Sequence, residues 1–335
     1  MGRRFFFQPY QRSFVKPLRT ARGTWAVRAG FIVRVEAASG VGYGEVAPIP
    51  EFGTETVEAA GAFLQRLADA PELAGDVDAL ATLPCCAFGV SSALASFRED
   101  SAPSRDYKVA ALLPAGRAAL SVASEKVLQG YETFKWKIGV EPVEAEQAIF
   151  GELATRLPEG ARLRLDANGG LSVECLESWL SFLQAHRGRV DYLEQPLAVG
   201  EEAVMARCSE ASGIPIALDE SLHGADGLRW LEARAWPGPL VVKPALAGDD
   251  RRLIERLRPV ARQVVLSSVF ETQVGLENAL HLADQLPGLN RVIGFDTLDA
   301  FADSLCILHS TSTIRSAERG VFSPETLWQQ LLHST

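Results

Sequence analysis

A TIM-type (β/α) barrel carrying an α+β capping domain is the fold class that this 335-residue sequence predicts, on three observations. From residue 106 to about 310, short β-prone runs alternate with helical patterns, which is the rhythm of βα units and a parallel sheet. Eight such runs follow in order, VAALL, TFKWK, RLRLD, DYLE, IPIALD, LVVK, QVVLSS and RVIGF, and eight is the barrel number. Lys137, Asp166, Glu194, Asp219 and Lys243 end five consecutive runs at spacings of roughly 24 to 29 residues, about one βα unit. An open doubly wound sheet would carry a glycine-rich phosphate turn after its first strand. The stretch LLPAGRAAL offers none.

The elements follow in chain order. Residues 1–105 read as an α+β cap: FFFQPYQRSFV, a basic loop KPLRTARG, then TWAVRAGFIVRVEAASGVGYGEV with a turn at Ser39-Gly40. A helix follows Phe52-Gly53, with Thr54 as its N-cap and Val57, Ala60, Phe63, Leu64 and Leu67 as its apolar face. A second helix, residues 84–97, is small and apolar on most sides, as suits an element packed between two layers. Residues 106–310 form the barrel, with helices such as 142–157 ended by Pro158-Glu159-Gly160. The tail, 311–335, no longer alternates and is expected to return to the first domain.

Composition limits the partners. A hydrophobic content of 47% supports a large core, and a formal charge of −9 argues against nucleic acid or an anionic membrane surface. A small-molecule site is the default, and oligomeric state stays open. Cys85, Cys86, Cys175, Cys208 and Cys306 lack metal-ligand spacing and read as thiols in a reducing compartment. The apolar stretch in MGRRFFFQPY is too short for a signal peptide, and no run reaches membrane-spanning length. A cytoplasmic protein is expected.

Strand alternation assigns faces. In TFKWK, Lys135 and Lys137 share one side and Trp136 takes the other; in RLRLDAN, Arg164, Asp166 and Asn168 lie together while Leu163 and Leu165 face the helices. Polar groups on an inner face are costly unless paired, so they argue for a wet, ion-filled mouth, with Arg164 as an ion-pair partner inside the barrel. Taken singly, a lysine at a strand end is usually solvated, and Asp166 or Asp219 could cap the helix that follows, as could Ser221. Glu194 could not, because Gln195-Pro196 disfavours a helix start there. Five such charges on consecutive strand ends are hard to explain as loop solvation. Three carboxylates without His or Cys suit a hard cation, Mg2+ first. The five histidines are scattered without zinc-site spacing, and His223 fits a surface loop.

The motifs K-W-K (135–137), L-D-A-N-G (165–169), E-Q-P (194–196), D-E-S (219–221) and V-K-P (242–244) resemble the enolase superfamily, in its muconate-lactonising-type branch. GYGEVAPIPEF, LPCCAFGVSSAL, SSVFET and GFDTLDAF narrow the resemblance to the o-succinylbenzoate synthases. The resemblance implies Mg2+, with Mn2+ as a substitute, held by Asp166, Glu194 and Asp219. It implies Lys137 as the base that removes a proton α to a carboxylate, Lys135 as a hydrogen-bond donor to that carboxylate, and Lys243 as a cation opposite. Ser267, Ser268, Asn168 and Arg19 become substrate-binding residues for a small-molecule dicarboxylate. Arg19 and Arg22 lie in the basic loop, which together with residues 50–54 would close over the mouth; an exposed, solvated loop is the equal alternative. The implied reaction is dehydration of 2-succinyl-6-hydroxy-2,4-cyclohexadiene-1-carboxylate to 2-succinylbenzoate in menaquinone or phylloquinone biosynthesis. N-acyl amino acid or dipeptide racemases and epimerases share the same core and are the alternative. Their Asp-x-Asp clamp matches Asp296-Thr297-Leu298-Asp299 poorly. A barrel that only binds is a third reading, with no use for two inward lysines beside a metal.

Overall fold

The computed structural model describes residues 2–20, 23–98, 102–232, 235–303, 305, 309–316 and 323–333. The chain opens with an antiparallel meander of β1 (Arg4–Thr20), β2 (Gly23–Ala37) and β3 (Gly40–Val46). Both faces of this sheet are covered, and the alternation along β2 shows how. Phe31, Val33 and Val35 join the main core, whereas Ile32 points the other way into a separate cluster.

The first face packs against α1 (Val57–Asp69) and α3 (Pro84–Ala95), with the short α2 (Val77–Leu80) between them. The N-cap of α1 is Thr56, whose hydroxyl accepts from Ala59 N at 3.1 Å, and not the expected Thr54. The reason lies thirty residues downstream. Glu55 is buried and its carboxylate accepts from Cys85 N (3.2 Å) and Cys86 N (2.8 Å), at the start of α3, and α1 is entered two residues later than expected. Helix α3 lies close on β3 because glycines meet there. A Cβ on Gly44 would stand 1.8 Å from Gly89 O.

The barrel strands are β5 (Ala111–Leu113), preceded by β4 (Asp106–Lys108), then β6 (Thr133–Lys137), β7 (Arg162–Asp166), β8 (Val190–Glu194), β9 (Ile216–Ala217), β10 (Leu240–Val242) and β11 (Val264–Leu266). Between them run α4 (Ala119–Leu128), α5 (Val143–Arg156), α6 (Val173–Gln184), α7 (Glu202–Ser212), the short α8 (Gly224–Gly227) and α9 (Asp250–Leu257), with α10 (Gln273–Asp284) after β11. Strands β5 to β9 pair in parallel, as do β10 and β11. Parallel bridges Leu218 to Leu240, Ser267 to Gly294 and Val109 to Ile293 close the ring, with Ile293 and Gly294 in the eighth position. Trp136, Leu163 and Leu165 face the helix layer, while Tyr192, Ala217, Val241 and Val265 form a separate inner core. Arg164 lies buried among the inward groups, 2.8 Å from Asp191, 2.8 Å from Val292 O and 4.9 Å over the Tyr192 ring.

After the barrel, β12 (Thr313–Arg315) pairs antiparallel with β4, and α11 (Pro324–His333) lays Leu327, Trp328 and Leu331 against Tyr10 and Ile32 on the second face of the meander. Buried polar contacts fasten the meander to the barrel. Glu45 of β3 accepts from Tyr10 OH (2.6 Å), Thr272 N (2.9 Å), Gly275 N (2.9 Å) and the Thr272 hydroxyl, a carboxylate at the positive end of α10. Arg98 forms a two-pronged pair with Asp250 (2.8 Å each), and the buried Arg28 donates to Val269 O (3.0 Å), Pro48 O (2.7 Å) and Ala47 O (2.6 Å). The joint is therefore charged and tied by hydrogen bonds from both sides.

One acid at this joint makes stability depend on pH. Glu271 accepts from Val269 N (2.6 Å) and the Ser268 hydroxyl (3.1 Å), yet burial, with Glu45 nearby, pushes its carboxyl up to about 7. A raised native pKa means that the folded chain holds the proton more tightly than the unfolded one. The contribution is complete below about pH 4.5 and is lost as pH rises through about 7. Glu271→Gln is expected to flatten the decline of Tm between pH 5 and 8, measured by calorimetry across that range. An unchanged slope would remove Glu271 from the account.

Candidate active site

The acids and amines meet at the C-terminal end of the barrel. Register places Lys137 beside Asp166 and Asp166 beside Glu194, so that β6, β7 and β8 present one lateral row. Glu194 pairs with Ala217, which puts Asp219 just beyond the end of β9, and Lys243 just beyond β10. Period-two alternation turns all five inward.

Lys135 Nζ lies between two acids, 2.8 Å from Asp166 Oδ2 and 2.7 Å from Glu194 Oε1. Burial opposes its charge, but Asp166 and Glu194 outweigh it and hold the ammonium well above its ordinary value. Lys243 is hydrogen-bonded to Asp219 Oδ1. Burial works against ionisation of Asp219, yet Lys243 and then His223 keep its carboxyl well below the usual range. Lys137, half-buried, enters no hydrogen bond or ion pair among the described residues.

Neither aspartate caps a helix. Asp219 makes no side-chain cap, and the cap of α6 is Ser172, which accepts from Cys175 N at 3.2 Å; Asp166 instead accepts from Asn168 N at 3.1 Å. Ser221 turns inward to Glu202 (2.6 Å). His223 corrects the surface expectation. The chain curls through residues 220–222 and brings Nε2 to 3.4 Å from Asp219, with the ring 4.9 Å from Phe52. Phe52 comes from the meander side, in the 50–54 turn; its ring also lies 5.5 Å from Lys243 Nζ and 5.8 Å from the Trp25 ring. An aromatic surface thus covers one flank of the mouth.

Of the remaining expected contacts, Ser267 is half-buried and points inward beside Gly294, and Asn168, at φ +47°, donates to Glu220 Oε1 at 3.1 Å. Ser268 is buried and its hydroxyl is engaged with Glu271, Phe270 N (2.9 Å) and Thr297 (2.7 Å), so it shapes the loop instead of facing the acids. Arg19 belongs to β1, where its backbone pairs with Thr24; its side chain, like all of Arg22, lies outside the described residues. Glu220 was not singled out from the sequence, although the doubled acid Asp219-Glu220 was its signal. It sits buried with Oε2 unpartnered among the described residues, and burial, with Asp219 and Asp166, raises it to about 7.

Among the described residues no three acid, imidazole or thiolate groups converge as ready-made metal ligands, since the acids turn to the lysines. The donor set nevertheless fits a hard cation. Asp166, Glu194, Asp219 and Glu220 crowd a buried mouth in which two ammonium groups are paired with them, so the acids outnumber the paired amines. Glu194 shows the deficit most clearly. Its Oε2 has no hydrogen-bond partner among the described residues, and burial, then Asp166, pushes the carboxyl well up.

The chain matches the family models Enolase C-terminal domain-like over residues 118–299 and MenC, N-terminal domain over residues 17–97. It is 37% identical to an o-succinylbenzoate synthase of Thermosynechococcus vestitus over 288 residues, 84% of this chain and 88% of the relative. It superposes on the crystal structure of o-succinylbenzoate synthase from Thermosynechococcus elongatus, which holds Mg in its active site, with a TM-score of 0.82 and 34% identity over 98% of this chain and 99% of that one. The L-Ala-D/L-Glu epimerase of Bacillus subtilis shares the fold at a TM-score of 0.78 and 20% identity, covering 94% of this chain and 96% of that one. With its mouth of paired acids and lysines and this identity along most of its length, the chain belongs to the o-succinylbenzoate synthase family of the enolase superfamily.

Proposed function

We propose that this chain is a Mg2+-dependent o-succinylbenzoate synthase, a dehydratase that converts 2-succinyl-6-hydroxy-2,4-cyclohexadiene-1-carboxylate to 2-succinylbenzoate. One observation carries the division of labour at the site: Lys137 stands in register with Asp166 and Glu194 but is unpaired among the described residues, while Lys135 and Lys243 are each held by carboxylates. Lys135 and Lys243 are thus engaged by the acids, and Lys137 is the amine left to reach the substrate as a base. Residues 106–310 then carry the chemistry, and residues 1–105 cap the mouth, with the returning tail packed against that cap.

Asp166, Glu194 and Asp219 would hold the cation, which supplies Lewis-acid stabilisation to the substrate carboxylate as the α-carbon loses its proton. Lys135 donates to the same carboxylate. Lys137 Nζ takes the α-proton, and the electron pair left behind forms the new ring double bond as the hydroxyl departs. The departing hydroxyl takes a proton back from Lys137, so that water leaves and the base is restored. Lys243, with Phe52 against it, is read as the cation facing the anionic ring, and Ser267 and Asn168 as contacts to the substrate's polar groups, together with Arg19, whose side chain lies outside the described residues.

The epimerase alternative needs a free acid after the last strand. Asp296 there accepts from Leu112 N (2.8 Å), Tyr131 OH (2.8 Å) and Lys126 Nζ (2.7 Å), and Asp299 bonds His309 and Ser310, so neither is free to clamp an amino group. An ultraviolet assay following aromatisation is expected to show turnover with Mg2+, loss of turnover with EDTA and recovery when Mg2+ is restored. Racemisation of N-acyl amino acids without dehydration would replace this reading with the alternative.

A further inference from the structure

We propose that Gln195 is the positioning residue that sets the mutual geometry of the three acids, an inference that rests on reading Asp166, Glu194 and Asp219 as the cation's ligands. Gln195 is 0% exposed, and its backbone has φ +35°, a left-handed conformation that side chains with a Cβ rarely adopt. That conformation is maintained by contacts on both sides. Gln195 N donates to Ala217 O at 2.8 Å, at the end of β9, and Gln195 O accepts from Gly169 N at 2.7 Å, in the turn after β7.

The side chain completes the tie. Oε1 accepts from Asp219 N (3.0 Å) and Ser221 N (3.2 Å), while Nε2 donates to Leu197 O (3.1 Å) and Ser221 Oγ (2.8 Å). All four hydrogen-bonding positions of the amide are therefore used. Its orientation is also determined. Ser221 has one hydroxyl hydrogen, which goes to Glu202 Oε1 at 2.6 Å, so its oxygen accepts from Nε2 and only Oε1 remains for the two backbone N–H groups. Glu202 is in turn fixed by Gly200 N at 3.1 Å.

One residue thus touches the three strand ends that carry the acids. It adjoins Glu194 in sequence, grips the backbone of Asp219 through its amide, and holds the Asp166 turn through its carbonyl. Carboxylates that must all reach one ion lose affinity when their strands shift by fractions of an ångström. None of these contacts involves the substrate. Gln195 acts through the acids alone.

Gln195→Met keeps the length and removes every side-chain hydrogen bond. Titration calorimetry with MgCl2 is expected to show a Kd weakened about 10- to 100-fold, with kcat reduced on the same scale and substrate KM changed far less. Trp179→Phe, a packing change in the helix layer, controls for lost stability and is expected to leave the Mg2+ Kd unaltered. Ser221→Ala cuts the same network at its next link, and should weaken Mg2+ several-fold even if the methionine variant fails to fold. Combined with Gln195→Met it should add little, because both act in one unit. Kd and kcat within twofold of wild type in both variants would overturn the inference while leaving the proposed function standing. Absence of Mg2+ binding by the wild-type protein would overturn the proposed function, and the inference with it.

Discussion

Lys137→Ala is expected to lose turnover by about 10²- to 10⁴-fold, the range that a positioned general base contributes, while the affinity for Mg2+ changes little. The geometry separates the two effects. Lys135 and Lys243 are the amines bonded to the acids, and Lys137 is not, so its removal leaves every carboxylate contact in place. The loss should fall on kcat, because the α-proton is removed only in the transition state. Steady-state aromatisation kinetics beside Mg2+ calorimetry check it. Retained turnover would transfer the base role away from Lys137.

Glu194→Gln is expected to act in opposite directions on activity and stability. Without the carboxylate, Mg2+ affinity should fall by at least about 100-fold, more than for loss of a supporting contact, and turnover should fall with it. The metal-free variant should nonetheless melt higher than the metal-free wild type. Glu194 is buried with Oε2 unpartnered among the described residues, next to Asp166, and a neutral amide of the same shape relieves the burial and the repulsion from Asp166 that the single contact to Lys135 leaves. Such opposition marks a site built for a ligand and not for its own stability. Calorimetric melts of both proteins with and without Mg2+ decide it; a lower Tm for the metal-free variant would show that the acid is already satisfied.

The features legible in the sequence are those set by short periods. Alternation alone put Lys135 and Lys137 inside and Trp136 outside, because a strand has no third choice of face. The five charges converge because consecutive parallel strands end at the same rim. Features that depend on partners distant in sequence were not legible. Thr56 replaces Thr54 as the cap because Glu55 is drawn to a helix that begins at Pro84. Ser268 and Ser267 are adjacent, yet only the fold shows that the first serves Glu271 and Thr297. His223 reaches Asp219 through a turn whose curl no local pattern predicts. Gln195 read as part of a motif, but the four partners of its amide come from a neighbouring loop and the end of the next strand.

The second face of the meander is covered by α11 together with Val274 of α10: Leu327, Trp328 and Leu331 lie against Tyr10 and Ile32. Because α11 follows β1 to β3 by the whole length of the barrel, that face lacks this cover during synthesis until the barrel strands have been made. Chaperones meeting the nascent chain would find a greasy patch there, and a stop codon upstream of Pro324 would leave it permanently open even though every barrel strand had been made.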